Sequence, residues 1–220
     1  NIPEGQAYAL TVVKEGFGSG TASGQAGSGT VTVPRVELKL SAPTYTVVNG
    51  NYEVDSPLTF QIDTPVEGVE YSWVFSGDVF SQATATGTSV TGTLIKSGNL
   101  NVSLTASYGT ASTPGTGVTS VEISKRTPTV NLIVTPTSQE ADAGIKELTV
   151  IAEVDRVGSK GSIRFSEGNE KGTFEANDIS VVNGVATTTY KASEDADGFD
   201  GELSFTAEYS GVDEKYNSSK

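Results

Sequence analysis

The sequence contains no histidine, no cysteine and no methionine among its 220 residues. Without an imidazole or a thiol there is no His general base, no Cys nucleophile and no Cys/His zinc site, so the commonest catalytic arrangements are excluded. No apolar run approaches the ~20 residues that span a bilayer. Leucine, a main helix former, occurs only ten times, which disfavours helical and α/β folds.

Small and β-branched residues dominate what is present: Gly, Ser, Thr and Val number 25, 25, 28 and 25. Such a composition favours strands and turns. The 27 acidic and 14 basic side chains give a net charge of -13, which repels nucleic-acid phosphates and anionic lipid headgroups. We therefore expect an all-β chain with no nucleic-acid partner and no direct membrane insertion.

The middle of the chain alternates apolar and polar residues with a period of two. The pattern covers residues 58–62, 69–75 and 100–108, and it is typical of antiparallel strands with one buried face. We predict a β-sandwich over residues 36–126. Tyr71, Trp73 and Phe75 fall on one side of a single strand, so core packing is a better interpretation of them than a sugar-stacking surface.

The rest of the chain predicts a second sandwich over residues 127–220. Its expected strands are residues 130–134, 148–154, 162–165, 179–190 and 203–209, with a hairpin turn at Val182-Asn183-Gly184-Val185. We expect this sandwich to lack its last strand, either because the chain was trimmed or because a strand from another subunit completes it.

The first 35 residues predict a terminal β-hairpin. Residues 7–15 read as a strand, residues 16–30 as a Gly/Ser-rich loop and residues 31–33 as the return strand. A similar order, with the same GTAS letters in its loop, recurs over residues 100–123. We therefore expect residues 1–35 to be the end of a preceding module.

Two motifs resemble known families. Residues 71–78 (YSWVFSGD), followed by 98–102 (GNLNV), resemble the PKD-type immunoglobulin-like domain of surface proteins, although Ser76 is an extra residue in that motif. Residues 205–211 (FTAEYSG), with Tyr216 and Ser218, resemble the closing motif of bacterial Ig-like repeats. The resemblance implies tandem immunoglobulin-like β-sandwiches, a PKD-like domain followed by a bacterial Ig-like domain, as in large surface adhesins.

The function that this resemblance implies is non-enzymatic. We expect a structural or adhesive segment of a multidomain bacterial cell-surface or secreted protein, located outside the cell or on its surface. Its expected partners are neighbouring Ig-like modules of the same chain or of other subunits, and a protein or glycan ligand on a target surface. The alternatives are a phage virion structural, fibre or decoration protein, and a carbohydrate-binding module.

The densest acidic segment is residues 194–202 (EDADGFDGE). Ca²⁺ collects six to eight oxygen ligands, so Asp195, Asp197, Asp200 and Glu202 are candidate Ca²⁺ ligands. The spacing departs from that of an EF-hand loop, and the alternative is a solvated acidic loop. We expect no required cofactor.

Carboxylate pairs also suggest glycosidase chemistry, which needs two such groups about 5 to 10 Å apart. Glu167, Glu170 and Asp178 are the candidates. Because any acidic β-protein offers such pairs and no aromatic platform accompanies these three, we predict that the chain is not an enzyme.

Overall fold

The structure is a computed structural model that describes residues 2–29, 31–136, 144–193, 198–199, 201–211 and 214–220. Within these ranges all regular secondary structure is β-strand. The described residues form no helix that could span a membrane. The chain divides into two compact units, Asn1–Tyr52 with Ser56–Ile123, and Glu53–Asp55 with Ser124–Lys220. The predicted all-β class is confirmed.

A separate two-stranded sheet begins the first unit. Strands β1 (Ala7–Val12) and β2 (Gly20–Gln25) pair antiparallel, with Leu10 opposite Ala22. The predicted strand and loop boundaries are wrong here, because β2 lies in the segment predicted as a loop and residues 31–33 form no strand. Pairing with β1 outweighs the low strand propensity of glycine and serine.

The first sandwich contains eight strands: β3 (Tyr45–Val47), β4 (Pro57–Ile62), β5 (Glu70–Ser76), β6 (Thr84–Thr86), β7 (Ser89–Thr93), β8 (Gly98–Tyr108), β9 (Ala111–Pro114) and β10 (Ser120–Ile123). One sheet has the order β3-β4-β7. The other has the order β10-β8-β5-β6, and β9 pairs with the far end of β8. These orders match the A-B-E and G-F-C sheets of an immunoglobulin-like fold.

The core of this sandwich is aromatic. Trp73 is 1% exposed and Tyr71 and Phe75 are also buried, whereas the intervening Val74 is 49% exposed. The ring of Phe60, on the opposite sheet, lies 6.1 Å from that of Trp73 and 5.3 Å from that of Phe75. The indole N–H of Trp73 donates to the carbonyl of Gly87 at 2.9 Å. The prediction that these aromatics form the core is confirmed.

In the second sandwich the described residues form seven strands: β11 (Val130–Thr135), β12 (Glu147–Val154), β13 (Ser162–Glu167), β14 (Gly172–Phe174), β15 (Asp178–Ser180), β16 (Val185–Ala192) and β17 (Phe205–Ser210). The two sheets have the orders β11-β12-β16-β14 and β15-β13-β17. The first corresponds to the A-B-E-D sheet of an immunoglobulin-like fold, and β13 with β17 corresponds to its C-F pair. The predicted fold class, tandem immunoglobulin-like β-sandwiches, is confirmed.

The predicted turn at residues 182–185 is present. Val182 and Val185 exchange backbone hydrogen bonds of 2.9 and 3.0 Å, and Asn183 and Gly184 have positive φ angles of 52° and 80°, as a type I′ turn requires. The flanking strands do not form the predicted hairpin, because β15 and β16 belong to different sheets. The turn carries the chain across the sandwich.

The residues after β17 begin to fill the position of a last strand. Ser219 pairs antiparallel with Tyr209, and Tyr216 pairs parallel with Arg126. In the first sandwich Thr116 pairs parallel with Thr44 in the same manner. Residues 214–220 therefore occupy part of the position that we expected to be vacant.

Candidate functional site: the Glu167 carboxylate

The candidate Ca²⁺ ligands are only partly described. Asp195, Asp197 and Asp200 lie outside the described residues. Glu202 is exposed, and its backbone carbonyl accepts a 3.0 Å hydrogen bond from the side-chain amide of Asn169. No group of three or more metal-ligating side chains occurs in the described part of the chain. Ca²⁺ binding at this loop stays a prediction.

Glu167, at the end of β13, accepts four hydrogen bonds. Oε1 accepts from the backbone N–H of Asn169 at 2.9 Å and of Ser204 at 3.3 Å. Oε2 accepts from the backbone N–H of Lys171 at 3.1 Å and from the hydroxyl of Tyr190 at 2.9 Å. An ionised carboxylate offers about four lone-pair positions. The acceptor capacity of Glu167 is therefore filled by the protein itself.

These contacts fix the protonation states of the pair. Burial alone raises the pKa of Glu167, but the hydrogen bonds from Asn169, Lys171, Tyr190 and Ser204 together outweigh burial and lower it. Burial, followed by the hydrogen bond to the carboxylate, raises the pKa of Tyr190 to about 12. Both shifts move the pKa away from neutral pH, where a general acid or base works best.

A cavity of about 170 Å³ lies beside this carboxylate. It is lined in part by Arg164, Glu167, Glu170, Phe174, Asn177 and Tyr190. Of the three carboxylates considered for glycosidase chemistry, Glu167 and Glu170 share the cavity, whereas Asp178 does not line it. Because the hydrogen bonds of Glu167 are already satisfied, the arrangement suits it to joining chain segments rather than to attacking a substrate.

Sequence reasoning missed Tyr190, Asn169 and Ser204 as partners of Glu167. One signal was available for Tyr190: it alternates with Ala186 and Thr188 on the buried face of β16, and a buried tyrosine hydroxyl usually has a hydrogen-bond partner. Phe174 and Phe199 pack on its ring, at centroid distances of 4.7 and 5.4 Å. These rings pack against one another and do not form an open platform.

The first unit has a larger cavity, of about 290 Å³. Glu15 is its one titratable lining residue besides Tyr71, whose hydroxyl accepts from the backbone N–H of Val66 at 2.9 Å. The other residues that line this cavity are mainly apolar or small. No pair of catalytic groups converges there.

The outer edge of β1 is a further candidate surface. In the described part of the chain β1 pairs only with β2, and Leu10 and Val12 are 41% and 40% exposed. Strand edges of this kind can accept another strand.

No family model matches the chain, and no curated protein matches it. Among solved structures, the D0-D1 domain of intimin is 20% identical, with a TM-score of 0.31, and the match covers 79% of this chain and 95% of that one. Murine CEACAM1b is 14% identical, with a TM-score of 0.27 and coverages of 80% and 96%. Beta-glucuronidase 3 of Bacteroides uniformis is 13% identical, with a TM-score of 0.26 and coverages of 81% and 24%. At these values, none of the three determines what this chain does.

Proposed function

We propose that this chain is a non-enzymatic segment of a multidomain bacterial cell-surface or secreted protein, in which Ig-like modules act as spacers and interaction surfaces. The observation that supports this most is that each sandwich closes its own core. Trp73 and Phe60 lie inside the first unit, and Tyr190 and Phe165 inside the second. Modules that bury their own cores can be joined in series without depending on a ligand for folding.

The outer surface fits the same role. The net charge of -13 keeps an array of such modules soluble and mutually repulsive. Glu167 accepts four hydrogen bonds, all from chain atoms, which supports a structural interpretation of this site. The PKD-like identity of the first sandwich is part of this proposal.

The β1–β2 sheet supplies the interaction surface in this proposal. Two strands alone are marginally stable in water, and the exposed Leu10 and Val12 side chains lie on the strand with the open edge. A neighbouring Ig-like module, of the same chain or of another subunit, is the partner that this edge fits. The carbohydrate-binding alternative is less well supported, because Tyr71, Trp73 and Phe75 are all buried.

Location can be tested with antibodies raised against the 220-residue chain. We expect them to label intact, unpermeabilised cells of the source organism or to detect the chain in the culture medium, while antibodies to a cytoplasmic protein label only permeabilised cells. Labelling by both antibodies only after permeabilisation, with no chain in the medium, would contradict the proposal.

The spacer role can be tested by pulling the chain from its two ends in a single-molecule force experiment. Two separate unfolding events are expected, one for each sandwich. A single event at low force, with no resistance from either sandwich, would argue against a load-bearing spacer.

A further inference from the structure

We propose that Glu167 is a latch that holds residues 201–204, the segment leading into β17, against the turn formed by residues 167–171. In this view the chain's own donors fix the end of the acidic loop, a bound cation is not needed for that purpose, and loss of the Glu167 charge releases the segment. This inference does not depend on the proposed function.

Four described contacts join the two segments. The backbone N–H of Ser204 donates to Oε1 of Glu167 at 3.3 Å, and the carbonyl of Ser204 accepts from the backbone N–H of Gly168 at 2.9 Å. The side-chain amide of Asn169 donates to the carbonyl of Glu202 at 3.0 Å. The ammonium of Lys171 lies beside Gly201, 2.9 Å from where a Cβ on that glycine would be.

The same carboxylate also closes its own turn. It accepts from the backbone N–H groups of Asn169 and Lys171, and the intervening Glu170 has a positive φ of 54°, which costs a non-glycine residue free energy. Ionised Glu167 offsets that cost by supplying acceptors to both neighbours. One charged group thus takes part both in the turn and in the contact with the segment, so we expect the two to loosen together.

Ionisable groups on several elements of the second sandwich lie near Glu167. The Tyr190 hydroxyl reaches it from β16. Other charged residues around this site are Arg164 on β13, Lys171 and Glu170 in the turn, and Glu202 in the held segment. The hydrogen bonds outweigh burial and keep the pKa of Glu167 below its ordinary value. The latch is therefore closed at neutral pH and opens only as the pH falls through that lowered pKa.

The latch changes the interpretation of the acidic loop. Its sequence places five carboxylates within residues 194–202, and Lys171 brings a positive charge to the end of that loop. Because residues 201–204 already have backbone partners on the turn, we expect their order to be the same with and without Ca²⁺.

Amide hydrogen exchange of the ¹⁵N-labelled full chain tests the latch residue by residue. In Glu167→Gln the charge is lost and one of the two acceptor oxygens becomes an NH₂ group, so two of the four donors lose their acceptor and the other two face a neutral oxygen. We therefore expect the Ser204, Asn169 and Lys171 amides all to exchange faster, and by about tenfold or more where the acceptor is lost. Glu170→Gln is the matched control, because it removes the same charge from the same turn. Its Ser204 amide should exchange at the wild-type rate, and EDTA should not change the wild-type rate.

Equal exchange of Ser204 in the two variants would overturn the latch, and so would protection that requires Ca²⁺. A second measurement avoids variants altogether, in case Glu167→Gln does not fold. In the wild-type chain, the Ser204 amide chemical shift should titrate with the same pKa as the Glu167 side-chain carboxyl carbon. A Ser204 shift that does not follow the Glu167 titration would also overturn the proposal.

Discussion

The Tyr190 hydroxyl donates a 2.9 Å hydrogen bond to Oε2 of Glu167, and this bond joins the two sheets of the second sandwich. Tyr190 lies on β16, in the sheet that also contains β11, β12 and β14. Glu167 ends β13, in the opposite sheet. Tyr190 is only 1% exposed, and its hydroxyl thus reaches a charged acceptor at the edge of the core.

Replacing Tyr190 by phenylalanine should destabilise the second sandwich by about 1.5 to 2 kcal/mol, since a hydrogen bond to a charged group contributes about 1.5–3 kcal/mol. Tyr209→Phe is the matched control, because Tyr209 is equally buried but its hydroxyl donates to a neutral carbonyl, that of Lys160, at 3.3 Å. Urea unfolding measures both. Equal decreases in the free energy of unfolding of the two variants would show that the charge of Glu167 adds nothing to the strength of this hydrogen bond.

Alkaline titration should detect two tyrosines whose pKa is strongly raised. Burial first, and then a carboxylate partner, raises the pKa of Tyr190 and of Tyr216 to about 12; the partner of Tyr216 is Asp55, at 3.0 Å. Phenolate absorbance should therefore show Tyr190 and Tyr216 ionising near pH 12, and the contribution of Tyr190 to that change should be absent in Tyr190→Phe.

The linked effect on stability has a definite sign. The folded-state pKa values of Tyr190 and Tyr216 exceed the ordinary value of ~10. The stability that these two hydroxyls contribute is therefore fully present below pH ~10 and is lost as the pH rises through about 12. Ionisation of all eight tyrosines near the ordinary value, in a chain that is still folded, would contradict this.

Alternation in the sequence predicted the strands that have one buried face. Residues 58–62 and 100–108 become β4 and β8, and Trp73 lies in the core, because a period of two is set by local backbone geometry. Strands made of small residues were missed. β2 and β9 lie in segments that read as loops, and they are strands because β1 and β8 supply partners, which local sequence does not encode.

The candidate site was harder to predict, because its parts are far apart in the sequence. The donors to Glu167 come from Asn169 and Lys171 in its own turn, from Tyr190 on β16 and from Ser204 before β17. Sheet pairing and the crossing turn at Asn183-Gly184 bring them together. The sequence could single out Glu167 as one carboxylate among many, but not its four hydrogen-bond donors.

Gly77 should not tolerate a side chain. Its φ is 105°, and a Cβ there would collide with the backbone carbonyl of Asn99. We expect Gly77→Ala to cost about 2 kcal/mol or more in the first sandwich.

Gly109→Ala is the control for this effect. Gly109 also has a positive φ, of 59°, but no atom lies within 4 Å of its added Cβ, so only the conformational strain of about 1 kcal/mol applies. Urea unfolding followed by the fluorescence of the single tryptophan, Trp73, reports on this sandwich. Similar decreases in the free energy of unfolding of both variants would mean that the backbone at Asn99 moves easily to make room for the added Cβ.

The open edge of β1 predicts where the isolated chain associates with itself. Residues 5–13 carry no charge, and a long uncharged edge strand with exposed apolar side chains favours pairing with another strand. Leu10→Lys should lower the associated fraction at high protein concentration, because a lysine on an edge strand must lose its hydration when a second strand pairs there. Val182→Lys is the control, since Val182 is 60% exposed but lies in a turn of the second unit. Sedimentation velocity over a concentration series measures both variants, and the same associated fraction in each would show that β1 is not the edge through which the chain associates.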